Sequence, residues 1–221
     1  EHETLNKSFS TYELFYFTII TIFYSCTMLL IVPFVSVYMK GITDANYIRP
    51  LFGYLLVISE FIWAIRMPYS SITLAAGHFK ETRKGAWVEA ITNIVLSIIL
   101  VIKFGIVGVA IGTLVAMLIR TIEFIYHTNK YILKRNIFIN IKKIISIVVE
   151  TIIIVLIVRF LPLSFKFNSY INWIVYAIIV FIISSIVTIT INLIVYKDDR
   201  KNLKQLLKNN FGKLFKRRKK K

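Results

Sequence analysis

Residues 170–196 read YINWIVYAIIVFIISSIVTITINLIVY, an uninterrupted apolar run. A helix needs about 20 predominantly apolar residues to cross the hydrocarbon core of a bilayer. Five further apolar runs precede this one, and they are continuous rather than alternating with the two-residue period of a membrane β-strand. The sequence therefore predicts an all-α, polytopic bundle of six transmembrane helices. We place them at residues 12–39, 51–76, 86–104, 106–126, 141–161 and 170–196.

The composition of the whole chain agrees with a membrane protein. Hydrophobic residues make up 57% of the 221 residues and charged residues 18%, whereas soluble domains have about 45–50% and about 25%. The single cysteine, Cys26, excludes a disulfide framework within the chain. The chain begins at Glu1 and lacks the basic segment and cleavage site of a signal peptide. We expect it to be the C-terminal part of a longer polytopic protein.

Basic residues are distributed unevenly between the two sides of the predicted bundle. Most of the 28 Lys and Arg residues lie in the connections 77–85 and 127–143 or in residues 197–221. The side richer in Lys and Arg is normally the cytoplasmic one. The sequence therefore predicts that both ends of this chain are cytoplasmic, as an even number of crossings requires.

The tail, residues 197–221, holds 12 of the 28 basic residues. Its apolar residues recur at helical spacing, which predicts a helix lying on the inner leaflet. Each basic residue near an anionic membrane surface is worth about 1 kcal/mol. Nucleic acid is the rival ligand for a basic run, but tethering to a membrane favours anionic lipid. The basic cluster at the end of the tail includes Lys216, Arg217, Arg218 and Lys219.

Charged side chains inside the predicted spans carry most of the chemical information. A charge at the bilayer centre costs at least about 2.5–3.5 kcal/mol, so it needs a partner or a water-filled cavity. Arg66 and Arg120 lie at similar depth in the second and fourth spans and predict a cavity with a cationic floor. Internal pairing of Arg120 with Glu123 or Glu89 is the alternative that the sequence leaves open. The candidates for substrate binding are Arg66, Arg120, Asn93, Glu89 and Ser70.

Two other acidic residues, Glu60 and Glu150, lie in the second and fifth spans and are candidates for coupling to an ion. The histidines His2, His78 and His127 are scattered along the sequence and lack a metal or nucleophile partner. The sequence therefore predicts no catalytic residue, no metal site and no cofactor, and it favours a protein that is not an enzyme.

The third and fourth spans are joined at residues 104–106, which predicts a tight hairpin with positive φ at Gly105. Gly108, Gly112 and Ala116 follow at intervals of four residues. Such a ridge of small residues allows two membrane helices to approach closely. It does not follow a strand, so it is not interpreted as a nucleotide-binding loop.

Four segments together carry a resemblance to a known family: residues 37–47 (VYMKGITDANY), 75–82 (AAGHFKET), 89–100 (EAITNIVLSIIL) and 104–113 (FGIVGVAIGT). They resemble the polysaccharide repeat-unit flippases, which are the O-antigen and capsule exporters of the multidrug/oligosaccharidyl-lipid/polysaccharide superfamily. The resemblance covers about residues 10–130. Beyond that range only hydropathy agrees.

Family members have two lobes of six helices, and many carry two extra C-terminal helices. By this resemblance, residues 1–126 hold the last four helices of the second lobe and residues 127–196 hold the extra pair. The parent would then have fourteen helices, and 197–221 would be a cytoplasmic tail. The family does not fix Arg66 and Arg120 by motif, so these two candidates depend on depth and charge alone.

The resemblance also implies a function. The family moves undecaprenyl-diphosphate-linked oligosaccharide across the bacterial cell membrane by alternating access, and a diphosphate needs cations in the cavity. The implied partners are the lipid-linked oligosaccharide, anionic lipids, the missing N-terminal lobe and polysaccharide polymerase machinery, and nucleic acid is not among them.

Three other classes of function remain open at the level of the sequence. A multidrug antiporter or a lipid II flippase of the same superfamily is the first, and the acidic residues Glu60, Glu89 and Glu150 suit the antiporter. A membrane acyltransferase or glycosyltransferase is the second, but it would need a His/Asp cluster or an Asp pair at the membrane face. A purely structural membrane subunit is the third, and polar groups at matched depth on three spans speak against it.

Overall fold

The computed structural model describes residues 2–161, 165 and 167–196. The basic tail 197–221, with Lys216 to Lys219, lies outside the described residues. Within them the chain is helical and contains no strand, so the predicted all-α bundle is confirmed. The helices are α1 His2–Tyr38, α2 Pro50–Ala75, α3 Phe79–Phe104, α4 Ile106–His127, a π-helical turn Thr128–Leu133, α5 Phe138–Phe160 and α6 Tyr170–Val195.

Five of these six helices are long and apolar enough to cross a membrane, namely α1, α2, α3, α4 with its π-helical extension, and α6. Helix α5 is the exception because it carries Lys142, Lys143, Glu150 and Arg159. Lys143 and Glu150 are buried inside the bundle, however, at 4% and 1% exposure. These two charges therefore face protein, whereas Lys142 and Arg159 are exposed, and a membrane crossing by α5 stays a prediction.

The helices of the bundle pack in two groups. Helix α4 packs against α2 and α3, whereas α1 packs against α2, α5 and α6. One apolar core joins α1, α2, α4 and α5, and a second joins α1, α5 and α6 through Cys26, Val158 and Val180. Helix α1 thus contacts both α2, which the resemblance assigns to the second lobe, and α5 and α6, which it assigns to the extra pair. The division at residue 126 stays a prediction.

The hairpin between α3 and α4 is as tight as predicted. Gly105 has a φ of +56°, in the region that favours glycine. A Cβ on Gly108 would lie 2.2 Å from the carbonyl oxygen of Leu100, and one on Gly112 would lie 2.8 Å from the backbone nitrogen of Ser97. The predicted ridge of small residues is therefore confirmed, since α4 lies directly against the backbone of α3.

The connections fall into two groups at opposite ends of the bundle. At one end, Lys40 Nζ donates to the carbonyl oxygen of Asn168 at 2.8 Å, which joins the loop after α1 to the loop before α6. At the other end, His78 contacts His127, and Arg135 contacts Glu13. The second end carries the basic connections, so the positive-inside rule predicts that it is cytoplasmic.

This orientation is testable by labelling single cysteines with a reagent that does not cross membranes. In a Cys26→Ala background, we expect Asn46→Cys to react from outside in intact cells and Lys80→Cys to react only after permeabilisation. Asn46 and Lys80 are both exposed in the structure, so accessibility within the fold does not bias the comparison. Labelling with the opposite pattern would contradict the orientation.

Candidate functional site

Two arginines and two glutamates from α2, α3 and α4 form an arginine–glutamate cluster, consisting of Arg66, Glu89, Arg120 and Glu123. Arg66 Nη1 lies 2.8 Å from Glu89 Oε1, and Arg120 Nε lies 3.6 Å from Glu89 Oε2. Arg120 Nη1 also lies 2.6 Å from Glu123 Oε2. Glu89 therefore bridges the two guanidinium groups, and the formal charges of the cluster balance.

The backbone of α3 helps to hold Arg120 in place. Arg120 Nη1 donates to the carbonyl oxygen of Thr82 at 2.7 Å, and the guanidinium carbon lies 4.4 Å from the centroid of the Phe124 ring. Gly85 makes this approach possible, because a Cβ there would lie 2.1 Å from Arg120 Nη1 and 1.6 Å from Glu123 Oε2. Sequence reasoning missed Thr82, Gly85 and Phe124. A glycine on the same face as a charged residue is the signal that could have indicated Gly85.

The arginine side chains of the cluster are less exposed to solvent than its glutamate side chains. The side chains of Arg66 and Arg120 are 10% and 9% exposed, whereas those of Glu89 and Glu123 are 22% and 31% exposed. The carboxylates already occupy Arg66 Nη1 and two nitrogens of Arg120, and a guanidinium fork is also suited to phosphate oxygens. The internal pairing that the sequence left open is thus present, and binding of a substrate by these arginines stays a prediction.

The other two cavity candidates lie near this cluster on α2 and α3. Asn93 lies one turn beyond Glu89, and its Oδ1 accepts hydrogen bonds from Ser97 Oγ at 3.1 Å and Thr113 Oγ1 at 3.4 Å. Asn93 therefore links α3 to α4. Ser70 Oγ donates to the carbonyl oxygen of Met67 at 3.0 Å, within its own helix.

The two candidates for ion coupling, Glu60 and Glu150, differ in burial. Glu60 is exposed on the outside of α2, whereas Glu150 is buried where α5 packs into the bundle. Ser146 Oγ donates to Glu150 Oε1 at 2.9 Å. The structure does not bring these two carboxylates together into one site.

A second polar network was missed by the sequence analysis. It surrounds Glu13 of α1, which is fully buried. Its carboxylate accepts hydrogen bonds from Asn140 Nδ2 at 2.8 Å and from Tyr69 Oη, and it pairs with Arg135 Nη2 at 3.1 Å and Lys143 Nζ at 3.0 Å. One carboxylate thus joins α1 to α2, to α5 and to the connection before α5. We call these five residues the Glu13 network.

The π-helical turn Thr128–Leu133 positions one of the two cations of this network. It ends at Lys134, whose φ of +49° turns the chain back toward α1. Arg135 then lies with its Nε 3.0 Å from Asn129 Oδ1 and its guanidinium 5.1 Å from the Phe9 ring. The sequence analysis counted Arg135 and Lys143 only as topology signals, because nothing in one sequence pairs residue 13 with residues more than a hundred positions away.

The histidines are less scattered than the sequence suggested. His78 Nδ1 lies 2.9 Å from His127 Nε2, which joins the connection before α3 to the end of α4. Both rings are partly exposed. Across the described ranges, no group of three or more His, Cys, Asp or Glu side chains is arranged to hold a metal ion.

Comparisons of the chain with protein-family models, with curated proteins and with solved structures return no match. The resemblance to the repeat-unit flippases therefore depends on the quoted segments alone. Any function for the chain must be argued from its own residues.

Proposed function

We propose that this chain is the membrane-embedded C-terminal part of a flippase that moves undecaprenyl-diphosphate-linked oligosaccharide across the bacterial cell membrane by alternating access. The observation that carries the proposal is the arginine–glutamate cluster, in which two buried guanidinium groups from α2 and α4 share one carboxylate of α3. Charges inside a membrane bundle are costly and are retained mainly where they have a role.

The chemistry of the cluster suits a diphosphate. Arginine remains protonated, and its planar fork matches phosphate oxygens in two parallel hydrogen bonds. A diphosphate that enters beside Arg66 and Arg120 would replace Glu89 as their counter-charge. Because Glu89 lies on α3, release of its carboxylate would uncouple α3 from α2 and α4, which is the kind of helix rearrangement that alternating access requires.

We further propose where this chain lies and which partners it has. Both ends of the chain lie in the cytoplasm of a bacterial cell, and the basic tail 197–221 binds anionic lipids of the inner leaflet. The missing N-terminal lobe completes the cavity, and polysaccharide polymerase machinery receives the flipped substrate. The exposed Glu60 of α2 faces that lobe, and Glu150 takes part in ion coupling.

A second candidate, a multidrug exporter for cationic substrates, is favoured by one observation. Glu89 and Glu123 are the more exposed members of the cluster. A cation entering there would meet carboxylates first, with the arginines behind them. The two candidates therefore differ in which sign of charge on the ligand the cluster prefers.

Binding to the purified, detergent-solubilised chain tests the proposal. We expect farnesyl diphosphate, a short polyprenyl diphosphate, to raise the unfolding temperature, and uncharged farnesol to have no such effect. Arg66→Ala should weaken this binding by about 10- to 100-fold, because charge-assisted hydrogen bonds are worth about 1.5–3 kcal/mol. Arg66→Lys should restore part of it, since the charge returns without the fork.

Controls separate ligand binding from helix packing. Arg159→Ala removes an exposed arginine of α5 and should leave the response to farnesyl diphosphate unchanged. If Arg120 only packs helices, Arg120→Ala should lower abundance and the double variant with Glu123→Ala should restore both abundance and ligand response. Stabilisation by tetraphenylphosphonium that Glu89→Gln abolishes would instead favour the exporter of cations.

A further inference from the structure

Three buried oxygen atoms on α1, α5 and α6 have no hydrogen-bond partner among the described residues. They are Thr21 Oγ1, Glu150 Oε2 and Thr188 Oγ1. Their residues are 0%, 1% and 0% exposed. We call this set the three-oxygen site. It is separate from the arginine–glutamate cluster, which lies between α2, α3 and α4.

The register between α5 and α6 places two of these oxygens at the same level. The two helices are antiparallel, and Val158 of α5 shares an apolar cluster with Val180 of α6. Eight residues earlier on α5 is Glu150, and eight residues later on α6 is Thr188. Both lie on the buried faces of their helices, at positions separated from the two valines by multiples of four.

The register between α1 and α6 brings in the third oxygen. Asn192 Nδ2 donates to Thr18 Oγ1 at 3.0 Å, and Cys26 Sγ lies 3.6 Å from Ser184 Oγ. These two contacts bracket a stretch of α6 whose midpoint is residue 188. The matching stretch of α1 contains Thr21, so the two unpartnered threonines lie between the same pair of contacts.

Helices α1 and α5 also touch beside the site. Ser25 Oγ donates to Thr151 Oγ1 at 3.4 Å. Ser25 lies one turn after Thr21, and Thr151 directly follows Glu150. All three pairs of helices therefore bring the three oxygens to one level of the bundle.

In the part of the chain that the structure describes, Thr21 of α1 and Thr188 of α6 lack the hydrogen bond within their own helix that three other threonines of α1 make. Thr11, Thr18 and Thr27 each donate to the carbonyl oxygen four residues earlier in the helix. Thr21 and Thr188 make no such bond within the described chain. Their oxygens are buried without a described hydrogen-bond partner. This is rare in native structures unless a ligand or an ordered water molecule supplies the partner.

The carboxylate of Glu150 also lacks a counter-charge. Its described contact is the hydrogen bond from Ser146 to Oε1, and no ion pair among the described residues includes it. A buried carboxylate is normally paired with a cation or neutralised by a proton. A proton on Glu150 would provide one donor for one threonine oxygen, whereas a cation would coordinate all three oxygens at once.

We propose that Glu150, Thr21 and Thr188 bind a small monovalent cation, for which sodium is the probe. Hard cations prefer carboxylate and other oxygen ligands, and a single carboxylate balances a single positive charge. Use of this ion to drive transport depends on the proposed function. Binding of the ion does not, because the site shares no residue with the arginine–glutamate cluster.

Thermal unfolding of the purified chain in detergent tests the site. We compare sodium chloride with choline chloride at equal concentration and pH, and we expect sodium to raise the unfolding temperature with a saturating dependence. Glu150→Gln should abolish the difference between the two salts. Thr21→Val and Thr188→Val should each raise the half-saturating sodium concentration on the order of five- to tenfold, as expected for loss of one polar contact.

Thr27→Val is the matched control, since Thr27 is an exposed threonine of α1, and it should leave the sodium response unchanged. Equal unfolding temperatures in the two salts would overturn the proposal, as would a sodium response that survives Glu150→Gln. A wild-type stability that follows pH but not sodium would assign a proton to Glu150 instead, and would also overturn it. None of these outcomes changes the expected response to farnesyl diphosphate, so the two proposals can fail separately.

Discussion

Replacing Glu13 by alanine is expected to lower the free energy of unfolding of this protein by about 3–5 kcal/mol, the usual cost of removing one partner from a buried ion pair. The Glu13 carboxylate pairs with Arg135 and Lys143, whose side chains are 7% and 6% exposed. Without it, two positive charges remain close together in a buried region. Tyr69 and Asn140 would lose an acceptor at the same time.

The measurement is equilibrium unfolding of the purified chain in mixed micelles, followed by helical circular dichroism. Glu3→Ala provides a control on the same helix, because Glu3 pairs with Lys7 at 2.7 Å but both side chains are largely exposed. It should show no measurable loss, as is usual for exposed ion pairs. A second variant, Glu13→Leu with Lys143→Met, should recover part of the loss because it removes one of the stranded charges. A loss in Glu13→Ala no larger than in Glu3→Ala would contradict the assignment.

Gly108→Ala is expected to lower stability by about 1–3 kcal/mol through overpacking. The added Cβ would lie 2.2 Å and 2.4 Å from the carbonyl oxygen and carbon of Leu100, and 2.8 Å from the nitrogen of Val101. These are backbone atoms of α3, which cannot rotate away as a side chain can. Relief requires α3 and α4 to separate, and this would also disturb the bridge from Glu89 to Arg120.

Gly53→Ala is the matched control for this prediction. Its Cβ would lie 3.7 Å and 3.8 Å from side-chain carbons of Ile31, which is ordinary contact. Alanine also favours a helix over glycine by about 0.5–1 kcal/mol, so Gly53→Ala should match or exceed the stability of the unaltered chain. Equal unfolding curves for the two variants would show that the contact between α3 and α4 is looser than the structure has it.

Features that depend on short stretches of sequence, or on the periodicity of a helix, were predictable from the sequence. The apolar runs indicated the helices, since a segment this long and apolar is stable only away from water. Even so, α1 begins at His2 rather than near residue 12, and α3 begins at Phe79 rather than at residue 86. Hydropathy locates the apolar part of a helix but not a polar extension of it.

The contacts of the candidate site were likewise predictable only where they lie within one helix. Pairing of Arg120 with Glu123 follows from their separation of three residues on one helix. Pairing of Arg66 with Glu89 depends on how α2 and α3 pack, and the approach of Arg120 to Thr82 depends on the absence of a side chain at Gly85. Periodicity indicates the face on which a polar residue lies, but it does not identify the residue opposite.

By itself, the sequence determined that this is an all-α membrane bundle, with a hairpin at Gly105 and close packing along Gly108 and Gly112. These features depend on hydrophobicity, backbone freedom and spacing within one or two helices. Only the tertiary structure decided that Glu13 meets Lys143, and that the level of Glu150 on α5 matches that of Thr188 on α6. The physical reason is that a buried polar group is stabilised by whichever partner packing brings within about 3 Å, and packing joins residues that are distant along the chain.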